Sequence, residues 1–147
     1  MGFLPGTDEE KAAIYELPYR SIVDDLYSGR GGNYQRLKDA KVIDFTSTSF
    51  LRGITMDNAV IVIDEVQNMT DGEINTVMTR VGNNSRVIIL GDFRQNDLSG
   101  SREESCIGKL LQTLMYVPSF VSIEMEADDI VRSGLVKEWI LAREEVK

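Results

Sequence analysis

The stretch Ala59-Val60-Ile61-Val62-Ile63 ends in two adjacent carboxylates, Asp64-Glu65, followed by Val66 and the amides Gln67-Asn68. A short β-branched run bounded in this way reads as a buried strand that delivers its acids to the edge of a sheet. A second run, Arg86-Val87-Ile88-Ile89-Leu90, ends in Gly91-Asp92 and reaches Gln95 shortly after. Between the runs, Thr70 and Glu73 have the spacing of a capping box. Ile74, Val77, Met78 and Val81 then recur on one helical face, Gly82 closes the helix, and Asn83-Asn84-Ser85 supply a turn. Strands alternating with helices through short connections predict an α/β fold, with a parallel sheet and helices on both faces. Parallel sheets collect ligands at the carboxyl ends of their strands. Asp64, Glu65, Asp92 and Gln95 all fall there.

Paired carboxylates at a strand end suit a definite chemistry. One can hold Mg²⁺ on a nucleotide while its neighbour orients or deprotonates the attacking water. The chain contains no His, which removes the usual general base and the usual zinc ligand. Two metals on Asp64, Glu65 and Asp92, as in a nuclease, are the competing use of the same acids. A non-catalytic module that assembles or binds a partner through an open sheet edge is the alternative from another class.

The flanking sequence supplies further elements. Thr7 and Glu10 make a capping pattern for a helix expected to stop before Pro18. Ile22, Val23, Leu26 and Tyr27 continue an amphipathic segment as far as Gly29. Gly29-Arg30-Gly31-Gly32-Asn33 lacks the Gly-Lys-Ser/Thr of a phosphate loop and reads as a surface loop. A short helix is expected over Tyr34–Ala40 and a strand over Val42–Phe45. Arg52 follows in a polar turn, either as a surface arginine or as a phosphate contact. Ser101 and Glu104 open a helix carrying Ile107, Leu110, Leu111 and Leu114, ended by Pro118. Phe120–Glu124 alternates like a strand, and a last helix carries Leu135, Val136, Trp139 and Ile140.

With 147 residues and no composition break, residues 1–147 are expected to form one domain. No apolar run approaches the roughly 20 residues of a membrane span, and no basic-then-apolar leader opens the chain. The single Cys106 cannot form an internal disulfide, which fits a reducing, cytoplasmic location. The net charge of -8 argues against a dedicated nucleic-acid-binding surface, although it leaves room for a local basic groove.

Several of these segments carry a resemblance. Asp64-Glu65-Val66-Gln67 is similar to the Walker B motif of superfamily 1 helicase-like ATPases, and Gly91-Asp92-Phe93-Arg94-Gln95 to their motif III. Taken in order with Gly2-Phe3-Leu4-Pro5-Gly6-Thr7, Leu51-Arg52-Gly53-Ile54-Thr55, Thr79-Arg80-Val81-Gly82 and Asp129-Ile130-Val131-Arg132, the chain resembles the PhoH-like ATPase family along nearly its whole length. The resemblance implies a RecA-like P-loop NTPase core using ATP and Mg²⁺. Asp64 would coordinate the metal, Glu65 would activate water, and Gln95 would sense the γ-phosphate. Arg132 would be the candidate arginine finger. Arg52, Gln67, Arg80 and Asp92 would lie around the nucleotide, with Arg80 a second candidate finger. A homo-oligomeric ring acting on RNA or single-stranded nucleic acid is implied by the same analogy.

One departure stands out. The family opens with a strand, a phosphate loop and a helix, whereas the only Gly-Lys here is Gly108-Lys109, inside an expected helix. Without the phosphate-loop lysine and hydroxyl, the main grip on the β- and γ-phosphates is missing. The expectation is a C-terminal part, inactive by itself, completed by an N-terminal P-loop fragment. In a RecA-like sheet that fragment's strand would lie between the Gly91-Asp92 strand and Phe120–Glu124.

Overall fold

The computed structural model describes residues 8–29, 33–51, 53–92 and 104–146. The chain divides into two compact units, Met1–Gly108 and Lys109–Lys147.

In the first unit the two apolar runs form β1 (Val60–Ile63) and β2 (Arg86–Ile89). They pair in parallel, from Val60 opposite Arg86 to Ile63 opposite Ile89. Among the described residues the sheet is two strands wide. A parallel bridge between Met56 and Val81 continues the pairing beyond the amino ends of the strands. Successive side chains alternate across the sheet. Ile63 is therefore buried and Ile61, Val87 and Ile89 are partly covered, while Val60 is 65%, Val62 55% and Ile88 45% exposed. The expected helices on both faces are thus not found among the described residues, where one apolar face meets solvent. The chain is mixed α/β, with a small parallel sheet and several helices.

α1 (Asp8–Leu26) runs straight through Pro18, where the sequence reading ended it. An interior proline costs a helix about 3 kcal/mol, so something must hold both halves in line. α2 (Tyr34–Asp39) does so. The Tyr34 hydroxyl donates to Glu16 Oε1 at 2.5 Å, ahead of the proline, and the Tyr34 N–H donates to Asp24 Oδ1 at 2.7 Å, beyond it. Lys38 adds an ion pair to Glu16, and the Tyr34 ring is buried. The Thr7–Glu10 capping pattern and residues 30–32 lie outside the described residues. Val42–Phe45 is no strand. It lies in an irregular segment, and its Phe45 ring rests against Tyr19.

α3 (Asp71–Met78) begins at the capping box expected for it. Thr70 accepts from the Glu73 N–H, and the Glu73 carboxylate accepts from the Thr70 N–H at 2.8 Å. Ile74 and Val77 are buried. The helix stops at Met78, short of Val81, because Val81 leaves the helical path to bridge Met56.

α4 (Glu104–Leu114) crosses the boundary between the units, and the Ser101 cap expected for it lies outside the described residues. In the second unit Leu110 and Leu114 are buried and α5 (Gly134–Glu145) closes the chain. Phe120–Glu124 is irregular rather than a strand, with Val121 and Ile123 each 78% exposed. Its alternating pattern finds no neighbouring strand among the described residues. No helix among the described residues is long and apolar enough to cross a membrane.

Candidate functional site

β1 and β2 end side by side, and the chain leaves β1 through an irregular turn. The Leu90 N–H donates to the Ile63 carbonyl at 2.8 Å, and the Leu90 carbonyl accepts from the Val66 N–H at 3.0 Å. A regular parallel ladder would have used the N–H of residue 65 for the second bond, so Asp64-Glu65 carries one residue more than the partner strand allows. The extra length is absorbed at Glu65, whose backbone is left-handed (φ 52°, ψ 44°). A non-glycine residue held there stores of order 1–3 kcal/mol of strain. The Glu65 N–H, freed from the ladder, donates instead to Asp64 Oδ1 at 2.9 Å. The bulge thus turns both carboxylates out to solvent while Val66, next along, is fully buried.

Gln67 ties the turn to the second strand. It follows Val66 in a 3-10 turn (Val66–Asn68). Its Nε2 donates to Glu65 Oε2, and its Oε1 accepts the Asp92 N–H at 3.3 Å. One amide therefore spans the ends of both strands. The approach is close enough to demand glycine before Asp92, since a Cβ on Gly91 would stand 2.7 Å from Val66 Cγ1 and 2.9 Å from Gln67 Oε1.

A third element reaches the site from α1. The Tyr19 hydroxyl donates to Asp64 Oδ2 at 2.8 Å, and its ring lies 5.6 Å from that of Phe45. Burial, the hydrogen bond to Asp64 and the charges of Asp64 and Glu65 push the Tyr19 phenol up to about 12. It is a protonated donor at neutral pH. Tyr19 went unnoticed in the sequence because it lies 45 residues from Asp64 and belongs to no motif.

Asp64, Glu65, Gln67 and the Asp92 backbone are thus brought together. Arg80 is not with them. Its carbonyl accepts the Met56 N–H at 2.9 Å, at the opposite end of the strands. Arg132 is exposed in the second unit, on the segment leading into α5. Arg52 and Gln95 lie outside the described residues.

The donor set limits the metal. Among the described residues no group of three or more His, Cys, Asp or Glu side chains could hold an ion. The described carboxylates do not by themselves make a cage for a resident ion. They would suit Mg²⁺ carried on a triphosphate, which takes one or two carboxylates and keeps water and phosphate oxygens for the rest.

An α/β chain with exposed acids at the carboxyl ends of adjacent parallel strands has the arrangement of a ligand-binding α/β domain. Its sequence identifies it more closely. Residues 1–144 match the PhoH-like protein family, and the chain belongs to that family. It is 33% identical over 144 residues to the PhoH-like protein of Bacillus subtilis (strain 168), covering 97% of this chain and 44% of that protein. It is 34% identical over 141 residues to the PhoH-like protein of Mycobacterium leprae (strain TN), covering 95% of this chain and 39% of the relative. Protein PhoH of Escherichia coli (strain K12) is 35% identical over 101 residues, 67% of this chain and 28% of that protein. The chain therefore spans less than half the length of these relatives.

Proposed function

We propose that this chain is the Walker-B and motif III portion of a RecA-like, PhoH-like ATPase, and that it turns over nucleotide when a phosphate-loop segment from elsewhere completes it. The observation that carries the reading is the strand-end bulge, which turns Asp64 and Glu65 outward and braces Glu65, through Gln67, against the Asp92 backbone. In this scheme Asp64 would hold Mg²⁺ carried on ATP, which would supply neutralisation of the charge developing on the phosphates. Glu65, held by the Gln67 amide, accepts a proton from the attacking water. Gln95 senses the γ-phosphate, and Arg132 or Arg80 serves a neighbouring copy in a ring. Action on RNA or single-stranded nucleic acid belongs to the same proposal and rests on the family resemblance.

The phosphate grip must come from another segment, because Gly108-Lys109 lies inside α4 rather than in a strand-to-helix loop. The exposed face formed by Val60, Val62 and Ile88 is an apolar seat consistent with such a segment. The test is to fuse the chain to the N-terminal, phosphate-loop-bearing portion of a PhoH-like protein and follow Mg²⁺-dependent phosphate release from ATP. Glu65→Gln in the fusion should retain nucleotide and lose about 10²–10⁴-fold in turnover, the range for a general base. Unchanged turnover in that variant refutes the role given to Glu65, and a fusion without Mg²⁺-dependent hydrolysis refutes the ATPase reading.

The same exposed face also supports the non-catalytic alternative, an assembly or partner-binding module. A stable oligomer of the chain by light scattering, together with a fusion unresponsive to ATP, would favour it.

A further inference from the structure

We infer that Tyr19 is a positioning residue for Asp64, fixing the plane of the carboxylate that receives the metal. The inference rests on the metal role proposed above for Asp64. Among the described residues each carboxylate oxygen has one donor, and the two donors come from different parts of the fold. Oδ1 takes the Glu65 N–H at 2.9 Å, from within the strand-end bulge, and Oδ2 takes the Tyr19 hydroxyl at 2.8 Å, from α1. A single bond would leave the carboxylate free to rotate about it, whereas two bonds on opposite oxygens fix the rotation.

The Tyr19 donor is itself held. Its ring lies against Phe45, and its helix is clasped to α2 by Glu16 and Asp24 on either side of Pro18. Each Asp64 oxygen keeps a lone pair for a cation. Mg²⁺ takes carboxylate ligands at short range and tolerates little departure from octahedral geometry, so the orientation of that lone pair matters. Removing the outer partner of a metal ligand typically costs about 10–100-fold in metal affinity or activity.

The experiment is a titration of Mn²⁺ together with a non-hydrolysable ATP analogue into the phosphate-loop fusion described above, read from the electron-paramagnetic-resonance signal of Mn²⁺ not bound to protein. It compares wild type, Tyr19→Phe, Asp64→Asn, the double variant and Tyr116→Phe. Tyr19→Phe keeps the ring and removes the hydroxyl. It should weaken Mn²⁺ binding about 10-fold or more, as loss of an outer partner does, and leave the melting temperature near wild type. Asp64→Asn should weaken it further, and the double variant should be no weaker than Asp64→Asn. Tyr116→Phe removes an exposed phenol hydroxyl in the second unit, and should bind Mn²⁺ as wild type does.

Wild-type affinity in Tyr19→Phe, with binding weakened in Asp64→Asn, overturns the positioning role alone. Tighter binding in Tyr19→Phe overturns it as well, as does an equal loss in Tyr116→Phe. A wild-type fusion that binds the nucleotide but no Mn²⁺ with it, or an Asp64→Asn variant that binds Mn²⁺ normally, overturns the metal role of Asp64 and this inference with it.

Discussion

Gly91→Ala isolates the packing that holds the strand-end turn together. The added methyl would sit 2.7 Å from Val66 Cγ1 and 2.9 Å from Gln67 Oε1. Carbon atoms pack best at about 3.5–4.0 Å, so one partner must retreat by close to an ångström. Val66 has nowhere to go. It is fully buried, and its N–H is bonded to the Leu90 carbonyl at 3.0 Å. The Gln67 amide can swing, but doing so abandons the Asp92 N–H and loosens Glu65. Overpacking of this kind costs about 1–3 kcal/mol. The smaller entropy of an unfolded chain with Ala in place of Gly returns about 0.4–1 kcal/mol. Taken at mid-range the net loss is about 1.3 kcal/mol, or roughly 3–5 °C in melting temperature for a chain of this size. Gly72 is the control. It lies inside α3, and a methyl added there would meet nothing within 4 Å, so Gly72→Ala should gain about 0.5–1 kcal/mol. Differential scanning calorimetry on both variants should move the melting temperature in opposite directions. A Gly91→Ala protein melting at or above wild type would refute the argument that Gly91 is required by close approach.

Two pH effects follow from the other hydrogen bonds. The backbone N–H and hydroxyl of Thr70 hold the Glu73 carboxyl below its ordinary value of 4.5. The stability this gives is present above pH 4.5 and is lost as pH falls through the folded value, so urea midpoints should drop on the acid side, and less steeply in Thr70→Ala. At the other extreme, burial and the bond to Asp64 raise Tyr19 from 10 to about 12. Tyr19 costs no stability below pH 10, and its ionisation takes stability away as pH rises through about 12; Tyr19→Phe, with nothing to ionise, should lose less on the alkaline side, and identical alkaline unfolding curves for variant and wild type would count against it.

What the sequence made legible was whatever local chemistry decides. β1 and β2 fall within a residue of the apolar runs, because β-branched residues in a short bounded run have few other uses. The Thr70–Glu73 capping box formed with both of its arms, because all four groups lie within a single turn. The failures share a different cause. Val42–Phe45 and Phe120–Glu124 have strand-like patterns, yet a strand exists only where a neighbour supplies hydrogen bonds, and pattern carries no information about neighbours. Pro18 should have ended α1, and the helix continues because Tyr34, far along the chain, fastens both sides of it.

The candidate site divides along the same line. Asp64, Glu65, Gln67 and Asp92 were legible as a motif, but the strained backbone at Glu65 was not, since nothing in Asp-Glu-Val-Gln announces a left-handed residue. That conformation follows from a mismatch of length. Leu90 bonds to Ile63 and to Val66, and the two residues between must fold outward to fit. Because Val66 is buried and Gly91 lets it approach, the mismatch cannot relax by letting the turn drift from the sheet. The strain is thereby confined to the residue whose carboxylate is proposed to activate water, and that carboxylate is held by the Gln67 amide, which also receives the N–H of the opposite strand. Two acids on a regular strand would have pointed to opposite faces of the sheet. The extra residue is what allows both of them to reach the same edge.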